Sequence, residues 1–277
     1  LRARAFDLHQ TFSKALSLTL DIHGTRRHVA VVSGDELEVG KMTFNHWATP
    51  ATEQPVSIDA GTVTLEGIFG EVSDPIGIVV FAHGSGSGRK SPRNHYVARQ
   101  LQRAGMATLL IDLLTAREDE QYRMRFDINL LQPRLAAACA WVREHERYLG
   151  VPIGLFGAST GAAVALRVAA ARPDQIAAVV SRGGRPDLAG VPALELVRAP
   201  TLLIVGGNDS QVIDLNEAAL AEMRCDARVD IVPGASHLFE ESGTLETAAA
   251  LAVAWFARHF SGTRPPAPRS VERQPEA

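Results

Sequence analysis

Apolar residues in this chain follow two rhythms, and the switch between them repeats. "VSIDA" (56–60) and "VTLEGIFGEV" (63–72) alternate apolar with polar, as a half-exposed antiparallel pair does. "IGIVVFAHG" (76–84) is apolar without interruption and reads as a strand buried on both faces. "ATLLIDLL" (107–114), "PIGLFGAS" (152–159), "IAAVVSRGG" (176–184), "TLLIVGG" (201–207) and "ARVDIVPG" (227–234) share that character. Between them lie helix-period segments at 94–104, about 124–147, 160–172, 213–223 and 244–260. Such alternation predicts an α/β fold: a mostly parallel central sheet with helices on both faces.

Outside 53–260, the expected catalytic domain, the pattern says less. Residues 1–52 form an N-terminal extension without clean periodicity, although "HVAVV" (28–32) reads as a strand. Residues 261–277 are Pro-rich and polar, an expected disordered tail.

Composition narrows the function classes. The 277 residues carry a formal net charge of −3, which gives no global field to recruit nucleic acid or an anionic membrane. No apolar run reaches the roughly 18 residues of a membrane span, and the opening stretch is too interrupted for a secretory signal. A cytoplasmic location is expected. The two cysteines, Cys139 and Cys225, have neither CxxC spacing nor a neighbouring His cluster, so a disulfide framework or zinc site is not expected.

In sheets of this kind ligands bind at the carboxyl ends of the strands, and those ends are rich in small and polar residues. "GASTG" (157–161) fits G-x-S-x-G between a strand and a helix. The spacing has a steric logic: a serine on so sharp a turn leaves no room for side chains two residues away on either side. Ser159 is the candidate nucleophile. A hydroxyl needs a base, and the base an orienting carboxylate. His237 in "VPGASH" and Asp209 in "VGGND" each sit just past a predicted strand, in the chain order Ser, Asp, His. Asp187 and Asp214 are competing acids, ranked behind Asp209. The expected oxyanion donors are the N–H of Thr160, directly after the serine, and the N–H of Ser85 in the loop "HGSGSG". His83 is read as bridging loops.

With those motifs in place, the chain resembles the dienelactone hydrolase branch of the α/β-hydrolase superfamily. The likeness rests on "VVFAHGSGSGRKSPRN", "GLFGASTGAA", "LLIVGGND" and "VPGASHLFEE", and spans roughly residues 55–260. It is closest to serine-bearing members, some joined to phosphoribosyltransferase domains; no such signature is visible in residues 1–52. The resemblance implies the same roles for Ser159, Asp209, His237, Ser85 and Thr160. True dienelactone hydrolases carry cysteine where Ser159 stands, which points away from dienelactone itself. The expected activity is hydrolysis of small to medium carboxylic esters, with lactones as the alternative, and with no metal or organic cofactor.

Two rival readings remain. "GSGSGRKS" (84–91) nearly fits a phosphate-binding loop that would use Lys90 and Ser91, with Asp112 ending a following strand, but Arg89 stands where glycine is needed. A non-catalytic binding module on the same fold is the other. Only a short stretch separates Gly184 from the next strand, so no large cap is expected. The segment 114–127 is the candidate small lid, with Tyr122, Met124 and Phe126 as apolar lining. Arg89, Arg93 and Arg182 sit in strand-end loops where they would favour a carboxylate-bearing substrate.

Overall fold

The computed structural model describes residues 15–22, 25–32 and 52–261. The chain divides into two compact units, Leu1–His46 and Trp47–Ala277. In the first, β1 (Ala15–Ile22) pairs antiparallel with β2 (Thr25–Val32), register closing with Ile22 opposite Thr25. The expected strand 28–32 falls within β2. Its partner was not expected, although Leu16, Leu18, Leu20 and Ile22 alternate. The tail from residue 262 lies outside the described residues.

The second unit is built on β3 (Thr52–Asp59), β4 (Thr64–Glu71), β5 (Gly77–Ala82), β6 (Met106–Ile111), β7 (Ile153–Ala158), β8 (Ala178–Arg182), β9 (Thr201–Gly206) and β10 (Ala227–Val232). They form an eight-stranded sheet in the order β10-β9-β8-β7-β5-β6-β4-β3. Strands β5 to β10 run parallel, and the alternating pair β3–β4 is added antiparallel at the β6 edge. The helices are α1 (Pro92–Arg103), α2 (Ala116–Asp119), α3 (Ile128–Glu144), α4 (Thr160–Ala171), α5 (Val191–Leu196), α6 (Ser210–Glu222) and α7 (Thr244–Phe260).

The uninterrupted apolar strands are explained by two cores. Val79 and Phe81 of β5 face α1 and α7, alongside Val97, Leu101, Trp255 and Phe256. Ile78, Val80 and Ala82 face the opposite side with α3, α4 and α5. Successive side chains on a strand point to opposite faces, so a central strand covered twice must be apolar at every position. Between β8 and β9 the chain makes only a short turn at 186–189 and α5, so no large cap is present. Among the described residues no helix is long and apolar enough to cross a membrane.

The segment after β6 is held from below. Arg134 of α3, 5% exposed, donates from Nη1 to Leu113 O (2.9 Å) and Glu118 Oε2 (2.8 Å), and from Nη2 to Glu118 Oε1 (2.6 Å). Glu118 also closes a capping box with Thr115 at the start of α2. The Arg134 hydrogen bonds, aided by those from Thr115, bring the Glu118 carboxyl down to about 2. An unfolded glutamate titrates near pH 4.3, so the unfolded chain binds more protons between these values. This stabilisation is therefore complete above about pH 5 and drains as pH falls toward 2. Glu118→Gln should flatten that part of the pH–stability curve in urea unfolding. Arg134→Met, which removes the charged hydrogen bonds to Glu118 and Leu113 O, should cost about 1.5–3 kcal/mol at pH 7 in the same measurement.

Candidate active site

The order of strands fixes where a ligand can enter. From β5 the chain moves outward to β6, then crosses back to β7 on the other side of β5. The connections diverge there, and a crevice opens at the carboxyl ends of β5 and β7. Ser159 stands at the end of β7 with φ 50° and ψ −122°. A non-glycine residue with positive φ is uncommon and costs on the order of 1–3 kcal/mol. The neighbours make the turn possible. A Cβ at Gly157 would lie 2.7 Å from Ala162 N, and one at Gly161 would strike the carbonyls of Ala82 and His83 at the end of β5. Backbone bonds from the β8 exit hold the strained residue: Ser159 N–H donates to Arg182 O (3.3 Å), and Ser159 O accepts from Arg185 N–H (3.1 Å).

The loop after β5 leans on the same serine. A Cβ at Gly84 would lie 2.9 Å from Ser159 Cβ. Ser85, the next residue, is exposed. Thr160 begins α4, so its N–H has no intrahelical acceptor. His83 braces the loop: its Nε2 accepts from Leu113 N–H (3.0 Å), leaving the proton on Nδ1, which donates to Gly84 O (2.9 Å).

The loops after β9 and β10 supply a second pair. His237 Nδ1 and Asp209 Oδ2 are 2.7 Å apart, the aspartate side chain 17% and the histidine 39% exposed. The two loops are stitched together by Asn208, whose N–H donates to Ala235 O (2.9 Å) and whose Nδ2 donates to Gly234 O (2.9 Å). Gly206 allows this approach, since a Cβ there would sit 2.5 Å from Ala235 O. Glu241 accepts from Ser236 N–H (2.9 Å), and Glu240 pairs with Arg93 (3.0 Å) at the start of α1. A Cβ at Gly183 would be 3.7 Å from His237 Cε1, so the imidazole lies against the exit of β8, next to Arg182, whose carbonyl accepts the Ser159 N–H. No hydrogen bond joins Ser159 to His237, and among the described residues Nε2 has no hydrogen-bond partner.

The other candidates separate by their partners. Asp187 is gripped through both oxygens by Arg185 (2.8 and 2.7 Å), and Asp214 lies within α6. Arg89 is engaged by Asp112 and Glu66, which occupies its charge. Ser91 caps α1 by accepting from Asn94 N–H (3.5 Å). Arg182 is buried, with no carboxylate partner among the described residues. The segment 114–127 is α2 followed by a 3₁₀ turn over 122–126. Met124 packs toward the core, whereas Tyr122 (71% exposed) and Phe126 (41%) stack on each other at 5.1 Å facing out. The stitching residues Asn208, Glu240 and Glu241 were missed in the sequence; their signal was position, beside the candidate acid and base.

A parallel sheet with a strained Ser159 at its switch point and a His–Asp pair on later strand ends defines an α/β-hydrolase architecture. Comparison with known proteins agrees. Residues 75–261 match the alpha/beta hydrolase domain family. A solved dienelactone hydrolase from Anabaena variabilis is 52% identical, covering 76% of this chain and 99% of its own, with a TM-score of 0.74. The esterase domain of a Rhodothermus marinus protein shares the fold at 18% identity and a TM-score of 0.63, over 76% of this chain and 99% of that one. Two curated Mycobacterium tuberculosis proteins, provisionally named phosphoribosyl transferases, are 50% identical over 78% of this chain and 48% of their own length. The chain thus spans about half of those curated relatives. It belongs to the α/β-hydrolase superfamily, in its dienelactone hydrolase-like family.

A short bond between an imidazole Nδ1–H and a carboxylate should give a downfield proton resonance. Asp209→Asn should abolish that resonance in the proton NMR spectrum while the far-UV circular dichroism stays unchanged.

Proposed function

We propose that the chain is a serine carboxylic ester hydrolase. The observation that carries the reading is the 2.7 Å bond between Asp209 and His237, whose imidazole lies against Gly183 at the exit of β8, beside the Arg182 carbonyl that accepts the Ser159 N–H. In this mechanism Ser159 Oγ attacks the acyl carbon and His237 Nε2 takes its proton. Asp209 fixes the Nδ1–H tautomer and stabilises the imidazolium that forms. The N–H groups of Thr160 and Ser85 receive the oxyanion, aided by the positive end of the α4 dipole. His237 then gives its proton to the departing alcohol, and water repeats the sequence to release the acid. The serine-to-imidazole contact closes on substrate binding, as catalytic hydrogen bonds often do. The chemistry asks for no cofactor.

Small to medium esters fit the short β8–β9 connection, which leaves the crevice without a large cap. Lactones fall under the same chemistry, and the 52% identical relative bearing the dienelactone hydrolase name supports testing them. Two free cysteines, Cys139 and Cys225, fit a reducing, cytoplasmic setting.

A fluorophosphonate probe should label the wild-type chain and fail on Ser159→Ala, with the adduct located at Ser159 by peptide mass spectrometry. On p-nitrophenyl acetate, His237→Ala and Asp209→Asn should each lower kcat by about 10³-fold or more. A Ser159→Ala chain that kept the wild-type esterase rate would exclude the reading.

A further inference from the structure

Arg182 is the last residue of β8 and is 8% exposed. Its Nη1 is fully buried without a hydrogen-bond partner, and among the described residues no acidic side chain pairs with it. A buried cation without an anion is costly and calls for an explanation. Two ring faces partly supply it. The guanidinium carbon lies 5.9 Å from the ring centre of Phe156 and 5.9 Å from that of Phe239, within the range of cation–π attraction. Burial, reinforced by the neighbouring charge of Arg93, lowers its pKa to about 10, so it stays charged at neutral pH.

Both rings and the backbone of Arg182 belong to the site. Phe156 is three residues before Ser159 on β7, and the Arg182 carbonyl accepts the Ser159 N–H (3.3 Å). Phe239 is two residues after His237, 2% exposed, and held at φ 56°. A phenylalanine in that backbone region is strained and persists only where its surroundings hold it. The ring it presents to Arg182 is part of what holds it.

We infer that Arg182 is a positioning residue for His237, clamping the Phe239 ring so that the histidine turn stays closed over the end of β8. The inference rests on the ester-hydrolase reading, because it assigns His237 the role of base. Glu240 is paired with Arg93, and Glu241 serves the Ser236 N–H, so both acids of the turn have other partners. A cation holds the ring by its charge, which lysine at this position keeps and methionine does not.

The test compares wild type, Arg182→Met, Arg182→Lys and Phe239→Leu on p-nitrophenyl acetate, with fluorophosphonate labelling run on each. Arg182→Met should lower kcat about ten- to hundredfold with KM changed less than about twofold. Arg182→Lys, which keeps a cation against the rings, should retain most of the wild-type kcat, and Phe239→Leu should lower kcat as Arg182→Met does. If Arg182→Met does not fold, an unchanged kcat in Phe239→Leu overturns the inference. An unchanged kcat in a folded Arg182→Met, or an Arg182→Lys chain as slow as Arg182→Met, overturns the inference. So does a loss confined to esters bearing a carboxylate, which would make Arg182 a substrate contact. In either case labelling at Ser159 would still support the ester-hydrolase reading. A wild-type chain that takes no label overturns that reading and this inference together.

Discussion

The site depends on one crowded turn. Ser159 has room for φ 50° only because Gly157 and Gly161 carry no side chains to collide with α4 and the end of β5. Once that turn is made, much else follows. It aligns the N-terminus of α4 with the serine, draws the Gly84 loop against Ser159 Cβ, and ties the serine backbone to both Arg182 and Arg185. The strain, on the order of 1–3 kcal/mol, is spread over packed neighbours on β5 and β8 that are buried throughout. A loop on the surface could not hold it.

The histidine half is organised by hydrogen bonds rather than by packing. Asn208 and Gly206 bring the β9 and β10 loops together, while Glu240 and Glu241 fix the turn on either side. On the proposed ester-hydrolase reading, a hydroxyl nucleophile makes such care necessary. A thiol is partly ionised near neutrality, whereas a serine depends on its base being in place when the attack occurs. The segment over 114–127 follows a third logic. Its base is anchored by Arg134 and Glu118, and its tip exposes the stacked Tyr122 and Phe126.

The sheet was legible because burial on both faces forces unbroken apolar strands, and each later strand end carried a chemically suggestive residue. The Ser159 turn was legible for a steric reason that survives in sequence as glycine spacing. The β1 strand was not recognised, since its alternation sits in a region with no clear neighbours to support it. Side-chain partnerships were also out of reach. Nothing in sequence distinguishes Asp187, held by Arg185, from Asp209, held by His237, except position. Arg89, Arg93 and Arg182 read alike on the page, yet two find carboxylates and one is buried between rings. The arginine outcomes depend on contacts more than twenty residues away.

The loop "GSGSGRKS" shows the same physics from another side. A phosphate cradle needs consecutive backbone N–H groups turned toward an anion from outside. Here the Arg89 N–H is already spent on Asp112 Oδ1 (2.5 Å), and the Arg89 side chain closes on the same carboxylate. The loop therefore carries its own anion at its far end. Ser91, which a nucleotide site would place on a metal ion, instead caps α1. That far-end anchor, together with His83 bracing the near end, fixes the loop's course past Ser159. Of the glycines that made the segment resemble a nucleotide site, Gly84 serves close approach to Ser159 and Gly88 close approach to Asp112.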